Sequence, residues 1–274
     1  MVEAERLTVP LPLAVQLYSF RDPDRFGGAG MGLDVETLSA IAAAGYLGVE
    51  TVDVPGGDAA AARRVLDDLD LVITSSHTWA ALGDRDALKR AAASIAELGS
   101  PRMIVSPSRL TTRGAVDAAI DDIGAAAEIG RAHDLRLGIH NHSAEMAPVD
   151  GLAVIDRLAA GLAAVDFQVD IFWVTVGGAD PAEVIRRLGT RIVSLHVKDG
   201  IDLPSAADAE PFVNVPIGRG VVDPAPAIAA AEALPSVEWL IVEFDHVEGS
   251  AVDAAQESLT NLTARGLARG RDGT

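Results

Sequence analysis

The sequence predicts an α/β fold, a single closed (β/α)8 TIM barrel, and three observations lead to that class. Eight short apolar or β-branched runs alternate with eight longer Ala- and Leu-rich segments at helical spacing. Strict alternation of strand and helix favours a parallel sheet that is covered by helices. The length of 274 residues accommodates such a barrel, which needs roughly 250 residues. We therefore expect one domain over residues 1–274, with the barrel itself over about 12–268.

The predicted strands are mostly apolar along their whole length, which is typical of parallel strands buried beneath helices. The strands are Ala14–Ser19, Gly48–Val52, Leu71–Ser75, Arg102–Val105, Arg136–Asn141, Val165–Asp170, Ile192–His196 and Trp239–Glu243. The helices are Asp34–Ala44, Ala59–Leu69, Arg85–Leu98, Ala115–His133, Gly151–Ala159, Pro181–Leu188, Ala225–Ala233 and Ala251–Leu267. The longest irregular segment, residues 199–224, follows the seventh strand, and the final residues, ARGRDGT, are expected to fray.

Cap residues support these boundaries. Asp34 and Asp180 are suitable N-caps, and Pro181 occupies a position where a first helical residue is expected. Gly45 follows the first helix, where a C-terminal glycine is common. The segment after the first strand, QLYSFRDPDRFGGAGMG, has no GxGxxG pattern, which argues against a dinucleotide-binding sheet.

Composition excludes several classes of protein. The chain has no cysteine, so it can form neither disulfides nor a thiolate metal site. A net charge of -18 opposes binding to nucleic acid or anionic lipid, and we expect neither as a partner. No apolar run reaches the roughly 18 residues of a membrane span. The N-terminal segment lacks the basic-then-apolar pattern of a secretory signal, so we expect a cytoplasmic protein.

The candidate site is defined by polar residues at the C-terminal ends of the strands, where TIM barrels place their active sites. Acids or imidazoles end strands five, six, seven and eight, and they should form a contiguous arc. Without cysteine, this donor set suits one divalent metal ion; Mn2+ is favoured, and Mg2+, Co2+, Fe2+ and Zn2+ are compatible. The strand-end residues are Gln16, Tyr18, Arg21, Glu50, His77, His140, Asn141, His142, Glu145, Asp170, His196, Lys198, Asp199, Glu243 and Asp245.

Three of these residues are the strongest candidate metal ligands. Asp170 ends the apolar run of strand six, where the simpler interpretation is a helix cap. His196 lies between strand residues, and the simpler interpretation is a hydrogen-bonded core histidine. Glu243 follows four apolar residues and would be costly to bury without a cation. We expect all three to bind the metal.

The fifth strand, LGIHNHSAEM, leaves two alternatives for a fourth ligand. His140 and His142 flank Asn141 and so share one face of a regular strand. Glu145 lies three residues further and reaches the metal if the chain curls back over the barrel. We favour Glu145 as the ligand and as a catalytic residue, with His142 as a general base. The main alternative places His140 on the metal, and the simplest one leaves Glu145 in solvent.

Three further residues are candidates for catalysis or structural support. Lys198 follows His196 by two positions and faces the same way, which favours a catalytic or substrate-binding role. His77 ends strand three and either binds substrate or is buried and hydrogen-bonded. Glu50 either takes part in the site or pairs with an arginine.

Substrate contacts are expected from residues around these groups. Gln16 ends the first strand at the same rim. Arg219 lies in a glycine-flanked turn that either closes over an anionic or polyol substrate or forms a surface turn. Trp173, with Phe172, either supplies an apolar wall for a sugar or packs in the core.

Short motifs at successive strand ends resemble the sugar phosphate isomerase/epimerase superfamily, also called xylose-isomerase-like TIM barrels. The resemblance extends from about Leu13 to Leu267. It implies a divalent metal held by strands five to eight, with Asp170, His196 and Glu243 at matching ligand positions. The motifs are GYLGVETVDV, SSHTW, IHNHSAEM, QVDIFWV, SLHVKDG, IGRGVVD and IVEFD.

The resemblance also implies the chemistry. Members act on sugars or cyclitols with adjacent carbonyl and hydroxyl oxygens, and a metal-stabilised enediolate forms when the neighbouring proton leaves. Where epimerases carry a glutamate followed by Pro and Asn on strand five, this chain has His140, Asn141 and His142. This departure favours the cyclitol and keto-sugar branch.

Several functions therefore stay open. An isomerase or epimerase is the first prediction, and an inosose or 3-keto-glycoside type of dehydratase is the second. An endonuclease-branch hydrolase would need a basic groove, which the net charge opposes. A non-catalytic sugar-binding relic is disfavoured by the intact ligand set. The expected partner is a small sugar or cyclitol, and a homo-oligomer is compatible with the sequence.

Overall fold

The computed structural model describes residues 9–21, 34–203 and 212–271, and it confirms the predicted TIM barrel. Eight parallel strands close in the order β1-β10-β9-β8-β5-β4-β3-β2, with Leu13 of β1 paired to Leu240 of β10. Two further strands form a short antiparallel hairpin outside the barrel. The strands are β1 Leu13–Gln16, β2 Gly48–Val52, β3 Val72–His77, β4 Arg102–Val105, β5 Arg136–His140, β6 Pro148–Val149, β7 Leu152–Ala153, β8 Asp166–Asp170, β9 Ile192–Val197 and β10 Trp239–Val242.

The helices of the described residues cover the outside of the barrel, and none of them is both long and apolar enough to cross a bilayer. Asp34 and Asp180 cap their helices through side-chain bonds to backbone N–H groups, and Gly45 ends the first helix at φ 109°, as predicted. The helices are α1 Val35–Ala44, α2 Ala59–Asp68, α3 Arg85–Leu98, α4 Arg113–Arg131, α5 Val154–Gly161, α6 Ile171–Val176, α7 Pro181–Leu188, α8 Ala225–Glu232 and α9 Ala251–Ala264.

Two elements were not predicted. Helix α6 follows β8 directly, and its residues Ile171 to Val174 are all buried, so it lacks the alternating apolar and polar faces that identify a surface helix. The β6–β7 hairpin occupies residues 148–153, so α5 begins at Val154 rather than at Gly151. Helix α6 lies next to the candidate site, because its N-cap is Asp170.

Residues 268–271 of the predicted tail do not fray as expected, and residues 272–274 lie outside the described residues. Leu13 N–H donates to the carbonyl of Arg269, and Arg269 N–H donates to Leu11. The Arg271 side chain donates to the carbonyl oxygens of Tyr46 and Leu69. The composition of ARGRDGT resembles a mobile tail, but Arg269 pairs with the start of β1 and Arg271 N–H donates to the carbonyl of Gly45.

Irregular strand pairing occurs beside two inward-facing polar residues. The register of β2 against β3 shifts between Val49 and Glu50, and that of β8 against β9 shifts between Phe167 and Gln168. Such irregularities change the direction in which a side chain points and are common next to active sites. Glu50 and Gln168 are both fully buried in the barrel interior, where they contact each other.

The loop after β9 is organised around the buried carboxylate of Asp199. It accepts hydrogen bonds of 2.9–3.0 Å from the backbone N–H groups of four residues. Gly220 is required there, because a Cβ at that position would overlap Gly200 O and Asp199 Oδ1. The four donors are Gly200, Gly218, Gly220 and Val222.

Substitution of Asp199 by asparagine should therefore destabilise the protein. The amide keeps one acceptor oxygen and turns an NH2 group toward backbone donors, which leaves about two N–H groups unsatisfied. We expect the free energy of unfolding to fall by about 2–4 kcal/mol in denaturant titrations. Asp202→Asn, on an exposed residue of the same loop, is the control and should change stability by less than about 0.5 kcal/mol. Equal stability of the two variants would contradict this role.

Candidate active site

Four buried side chains meet at the C-terminal rim of adjacent barrel strands. His140 ends β5, Asp170 ends β8, His196 lies on β9 and Glu243 follows β10. Each offers one ligand atom, and these atoms all lie within 4.8 Å of one another. The structure thus brings Asp170, His196 and Glu243 together, and the strand-five residue that joins them is His140 rather than Glu145.

His196 is held between two carboxylates. Its Nδ1 lies 2.6 Å from Glu243 Oε2, and its Nε2 lies 2.6 Å from Glu50 Oε1. Burial disfavours the charged imidazolium, but the attraction of Glu243 and Glu50 outweighs burial and raises the pKa of His196 to about 10. The ring therefore links β2, β9 and β10 across the barrel.

Glu50 is a central acceptor of the barrel interior. It receives hydrogen bonds from Gln16 Nε2 at 2.6 Å, from Gln168 Nε2 at 2.6 Å and from the Ser75 hydroxyl. Burial raises the pKa of Glu50, but His77 and His196 outweigh burial and lower it below its ordinary value. The alternative of a pairing with arginine is wrong, because imidazoles and amides surround this carboxylate.

Gln168 connects Glu50 to the histidines. Its Oε1 lies 2.8 Å from His77 Nε2 and 3.2 Å from His140 Nδ1. Its Nε2 donates to Glu50 and to the Ser194 hydroxyl. The predicted substrate-binding histidines are therefore both oriented by one buried amide.

Lys198 is buried among three carboxylates. Its Nζ lies 2.6 Å from Asp245 Oδ2, 2.9 Å from Glu243 Oε2 and 3.2 Å from Asp170 Oδ2. Burial disfavours the ammonium, yet Asp170, Asp245 and Glu243 raise the pKa of Lys198 well above its ordinary value. The side chain is a fixed positive charge beside the cluster.

Asp170 caps a helix and also contributes to the cluster. Its Oδ1 accepts a hydrogen bond from Trp173 N at 2.9 Å at the start of α6. Its Oδ2 is buried and has no hydrogen-bond partner, since Lys198 is near but outside hydrogen-bonding geometry. Burial raises the pKa of Asp170 despite the positive charge of Lys198. The free oxygen faces the cluster, with His140 Nε2 at 4.0 Å.

Glu145 and His142 follow β5 in a short 3-10 turn. Glu145 Oε2 accepts a hydrogen bond of 2.7 Å from His142 N, so the carboxylate is engaged with its own backbone. Burial raises the pKa of Glu145 to about 7. Burial, and next the charge of Lys198, lower the pKa of His142 to about 4, which leaves its imidazole neutral near pH 7.

The raised pKa of Glu145 predicts a pH dependence of stability in the metal-free protein. Between the ordinary value of 4.5 and about 7, the folded state binds more protons than the unfolded state. The free energy of unfolding should therefore fall as pH rises through this range, by at most about 3 kcal/mol. Glu145→Gln should flatten this part of the profile in urea titrations with EDTA, whereas exposed Glu248→Gln should not. Parallel profiles for wild type and Glu145→Gln would show that this carboxyl is not the cause.

A cavity of about 500 Å³ opens beside the cluster. It is lined by the predicted site residues Gln16, His77, His140, His142 and Glu243. The remaining wall comes mainly from the segments after β3 and β4 and from one face of α4. These lining residues are Tyr18, Val52, Thr78, Trp79, Ala80, Ala81, Leu82, Val105, Ser106, Pro107, Ser108, Arg109, Leu110, Ala115, Ala118, Ala119, Asp122 and Asp245.

Two predicted substrate contacts are not among the described residues that line this cavity. Trp173 is 6% exposed, and its ring packs against Phe172, Phe212 and the ring of His142, because α6 turns it inward. Arg219 is exposed, and its Nε lies 2.5 Å from Glu257 Oε1 on α9. The aromatic side chain that does line the cavity with large exposure is Trp79, at 61%.

Sequence reasoning missed the residues beneath the cluster. Gln168 lies two positions before Asp170, and Ser194 two positions before His196, so each pair shares the inward face of its strand. Because side chains alternate between the two faces of a strand, the residue two positions before each predicted ligand also faces inward. Applying this rule would have identified both residues. Asn214, which accepts from the N–H groups of Asp245 and His246, carries no such periodic signal.

The fold is a closed (β/α)8 barrel, and the candidate site places carboxylate and imidazole donors at the C-terminal ends of its strands. The family model for xylose isomerase-like TIM barrels matches residues 38–265, and the chain belongs to this family. No curated protein matches the sequence.

Solved structures share the fold at low identity. A sugar phosphate isomerase/epimerase from Parabacteroides distasonis ATCC 8503 is 19% identical with a TM-score of 0.78, covering 97% of this chain and 98% of that one. A probable 3-DHS dehydratase from Bacillus anthracis is 14% identical with a TM-score of 0.72, covering 92% and 99%. The IOLI protein, solved with a binding zinc atom, is 13% identical with a TM-score of 0.73, covering 94% and 98%.

Proposed function

We propose that this protein is a divalent-metal-dependent isomerase or epimerase that removes a proton next to the carbonyl of a sugar, keto-sugar or cyclitol. The observation that carries the proposal is the cluster of His140, Asp170, His196 and Glu243, because it is buried, rich in ligand atoms and adjacent to a cavity. Family membership and the isomerase, epimerase and dehydratase named among the structural neighbours support this reaction class.

The residues present fit a metal ion. Asp170 Oδ2 is a buried carboxylate oxygen that receives no hydrogen bond, although Lys198 Nζ lies 3.2 Å away, so it keeps its lone pairs for an ion. Imidazole and carboxylate donors without thiolate suit Mn2+, which we favour, or Mg2+, Co2+, Fe2+ or Zn2+. His140, Asp170, His196 and Glu243 would hold the ion, with Glu145 as the competing strand-five ligand. When bound, the ion would supply a Lewis acid for negative charge that develops on substrate oxygens.

The protein's own groups supply the proton transfer and the orientation. His77 and His140 each direct one ring nitrogen to Gln168. His196 directs Nε2 to Glu50, and Nδ1, beside Glu243, is the nitrogen that would face the ion in place of its hydrogen bond. His142 lines the cavity, and we assign it as the group that accepts the substrate proton. Lys198 fixes Glu243 and Asp245 and keeps a positive charge beside the reacting oxygens.

The test is solvent deuterium uptake followed by NMR across a panel of keto-sugars and inososes, with protein loaded with Mn2+. Uptake at a carbon next to the carbonyl supports the proposal and identifies the substrate. His142→Ala should slow uptake by about a hundredfold or more while metal content is retained. His133→Ala, at the C-terminal end of α4 and away from the cavity, is the matched control. No uptake with any member of the panel would reject the proposal.

A dehydratase is the second candidate. The supporting observation is that β5 presents His140 rather than a glutamate to the cluster. Both reactions begin with loss of the same proton, and they differ in whether the proton returns or a β-hydroxyl leaves. The NMR experiment separates them, since dehydration yields an unsaturated product and epimerisation does not.

A further inference from the structure

The segment after β4, residues 106–110, forms a part of the cavity wall that the proposed chemistry does not use. Ser106, Ser108 and Arg109 are exposed and line the cavity, whereas Pro107 and Leu110 are buried and anchor the segment. This part of the wall carries two hydroxyl groups and one guanidinium. It therefore differs from the cluster, which presents imidazole and carboxylate groups.

Among the described residues that line the cavity, Arg109 is the one arginine or lysine. The carboxylates of the same lining are Asp122, Glu243 and Asp245, and none forms an ion pair with Arg109 among the described residues. By contrast, Arg113 on the outer face of α4 pairs with an acid one turn away. In a chain with 40 acidic and 22 basic residues, a cation facing a cavity without an acidic partner is available to a ligand.

The backbone conformation of Arg109 is a second unusual feature of this segment. Arg109 has φ 60°, in the left-handed region that a long side chain rarely adopts. Such conformations persist where surrounding structure fixes them, and they cluster at ligand sites. The first turn of α4 also borders the cavity at Ala115, and the positive end of this 19-residue helix favours a nearby anion.

We propose that Arg109, with the hydroxyls of Ser106 and Ser108, binds an anionic group of the substrate, a carboxylate or a phosphate. A guanidinium and two hydroxyls that line the same cavity from one short segment match an anion that offers several oxygen acceptors. This inference rests on the proposed function, in which the rest of the substrate is a sugar or cyclitol that reacts beside the cluster. It narrows the substrate to sugar acids, cyclitol acids or sugar phosphates.

The test is calorimetric binding to Mn2+-loaded protein of three matched ligands: a ketohexose, its 6-phosphate and the corresponding keto-uronic acid. We expect at least one anionic ligand to bind about tenfold or more tightly than the neutral ketose. Arg109→Ala should remove this preference by lowering the affinity for the anionic ligand to about that of the neutral ketose. Arg109→Gly relieves the left-handed backbone and should fold at least as stably, yet it should show the same loss.

Arg90→Ala, on α3 away from the cavity, removes the same charge and should keep the preference. Tighter binding of the phosphate or of the acid identifies which anion the segment takes. Equal affinity of the wild type for all three ligands would overturn this inference, and so would a preference that survives in Arg109→Ala. Neither result would affect the proposed function, which the deuterium-uptake experiment tests separately.

Inorganic phosphate separates this inference from the proposed function. If none of the three sugars binds but phosphate binds in an Arg109-dependent manner, the anion subsite is supported, and the deuterium panel alone decides the sugar reaction. If neither the sugars nor phosphate bind, the anion subsite is rejected.

Discussion

Replacing Glu243 by glutamine is expected to abolish stoichiometric binding of a divalent ion and to lower turnover by about a thousandfold or more. Glu243 Oε2 lies 2.6 Å from His196 Nδ1 and 2.9 Å from Lys198 Nζ, in the middle of the cluster. The amide has nearly the same shape but no charge, so it is a poor ligand. His196→Ala should have the same effect, because it removes a second ligand.

Elemental analysis of the dialysed protein measures the first effect, and the deuterium assay measures the second. The matched control is Glu238→Gln, five residues earlier, because Glu238 binds Arg102 at the opposite end of β10. This control should retain the metal and the activity. Full metal content in both Glu243→Gln and His196→Ala would remove these residues from the ligand set.

Replacing Lys198 by methionine should produce the largest loss of stability. The ammonium lies within 3.2 Å of oxygens of Asp170, Glu243 and Asp245, and methionine would leave these buried carboxylates without it. Breaking a buried ion pair from one side costs about 3–5 kcal/mol. In the variant, the carboxylates bind protons more readily when folded than when unfolded, so stability should recover as pH falls.

The same variant links stability to metal binding. A divalent ion can replace part of the missing positive charge, so adding Mn2+ at pH 8 should raise the melting temperature of Lys198→Met more than that of wild type. The control is Lys89→Met, because Lys89 is 61% exposed and pairs with an exposed Asp86. It should alter stability by less than about 0.5 kcal/mol. Equal melting temperatures for the two variants in EDTA would contradict the role of Lys198 as a buried counter-charge.

The sequence predicted the fold well because periodicity and caps are local. Gly48–Val52, Arg102–Val105, Arg85–Leu98 and Pro181–Leu188 have the predicted bounds. Helix α6 was missed because an apolar helix buried on every side resembles a continued strand. Arg269 pairs with the start of β1, and a contact between residues so far apart in the sequence has no local signature.

The sequence predicted only the part of the site that depends on local position in the strands. Position at a strand end was enough to bring Asp170, His196 and Glu243 together. The choice between His140 and Glu145 depended on how the chain turns after β5, and a 3-10 turn engages Glu145 with its own backbone. Burial of Trp173 followed from α6, which was not foreseen.

The amide of Gln168 has a consequence for the imidazole beside it. If the amide were reversed, its oxygen would face the carboxylate of Glu50, so the observed orientation is the one that electrostatics allows. The oxygen must then receive a proton from His140 Nδ1, which selects the tautomer with a bare Nε2. That lone pair is directed toward the side of the ring near Asp170. A single glutamine below the rim thereby determines which nitrogen of His140 is free to coordinate an ion.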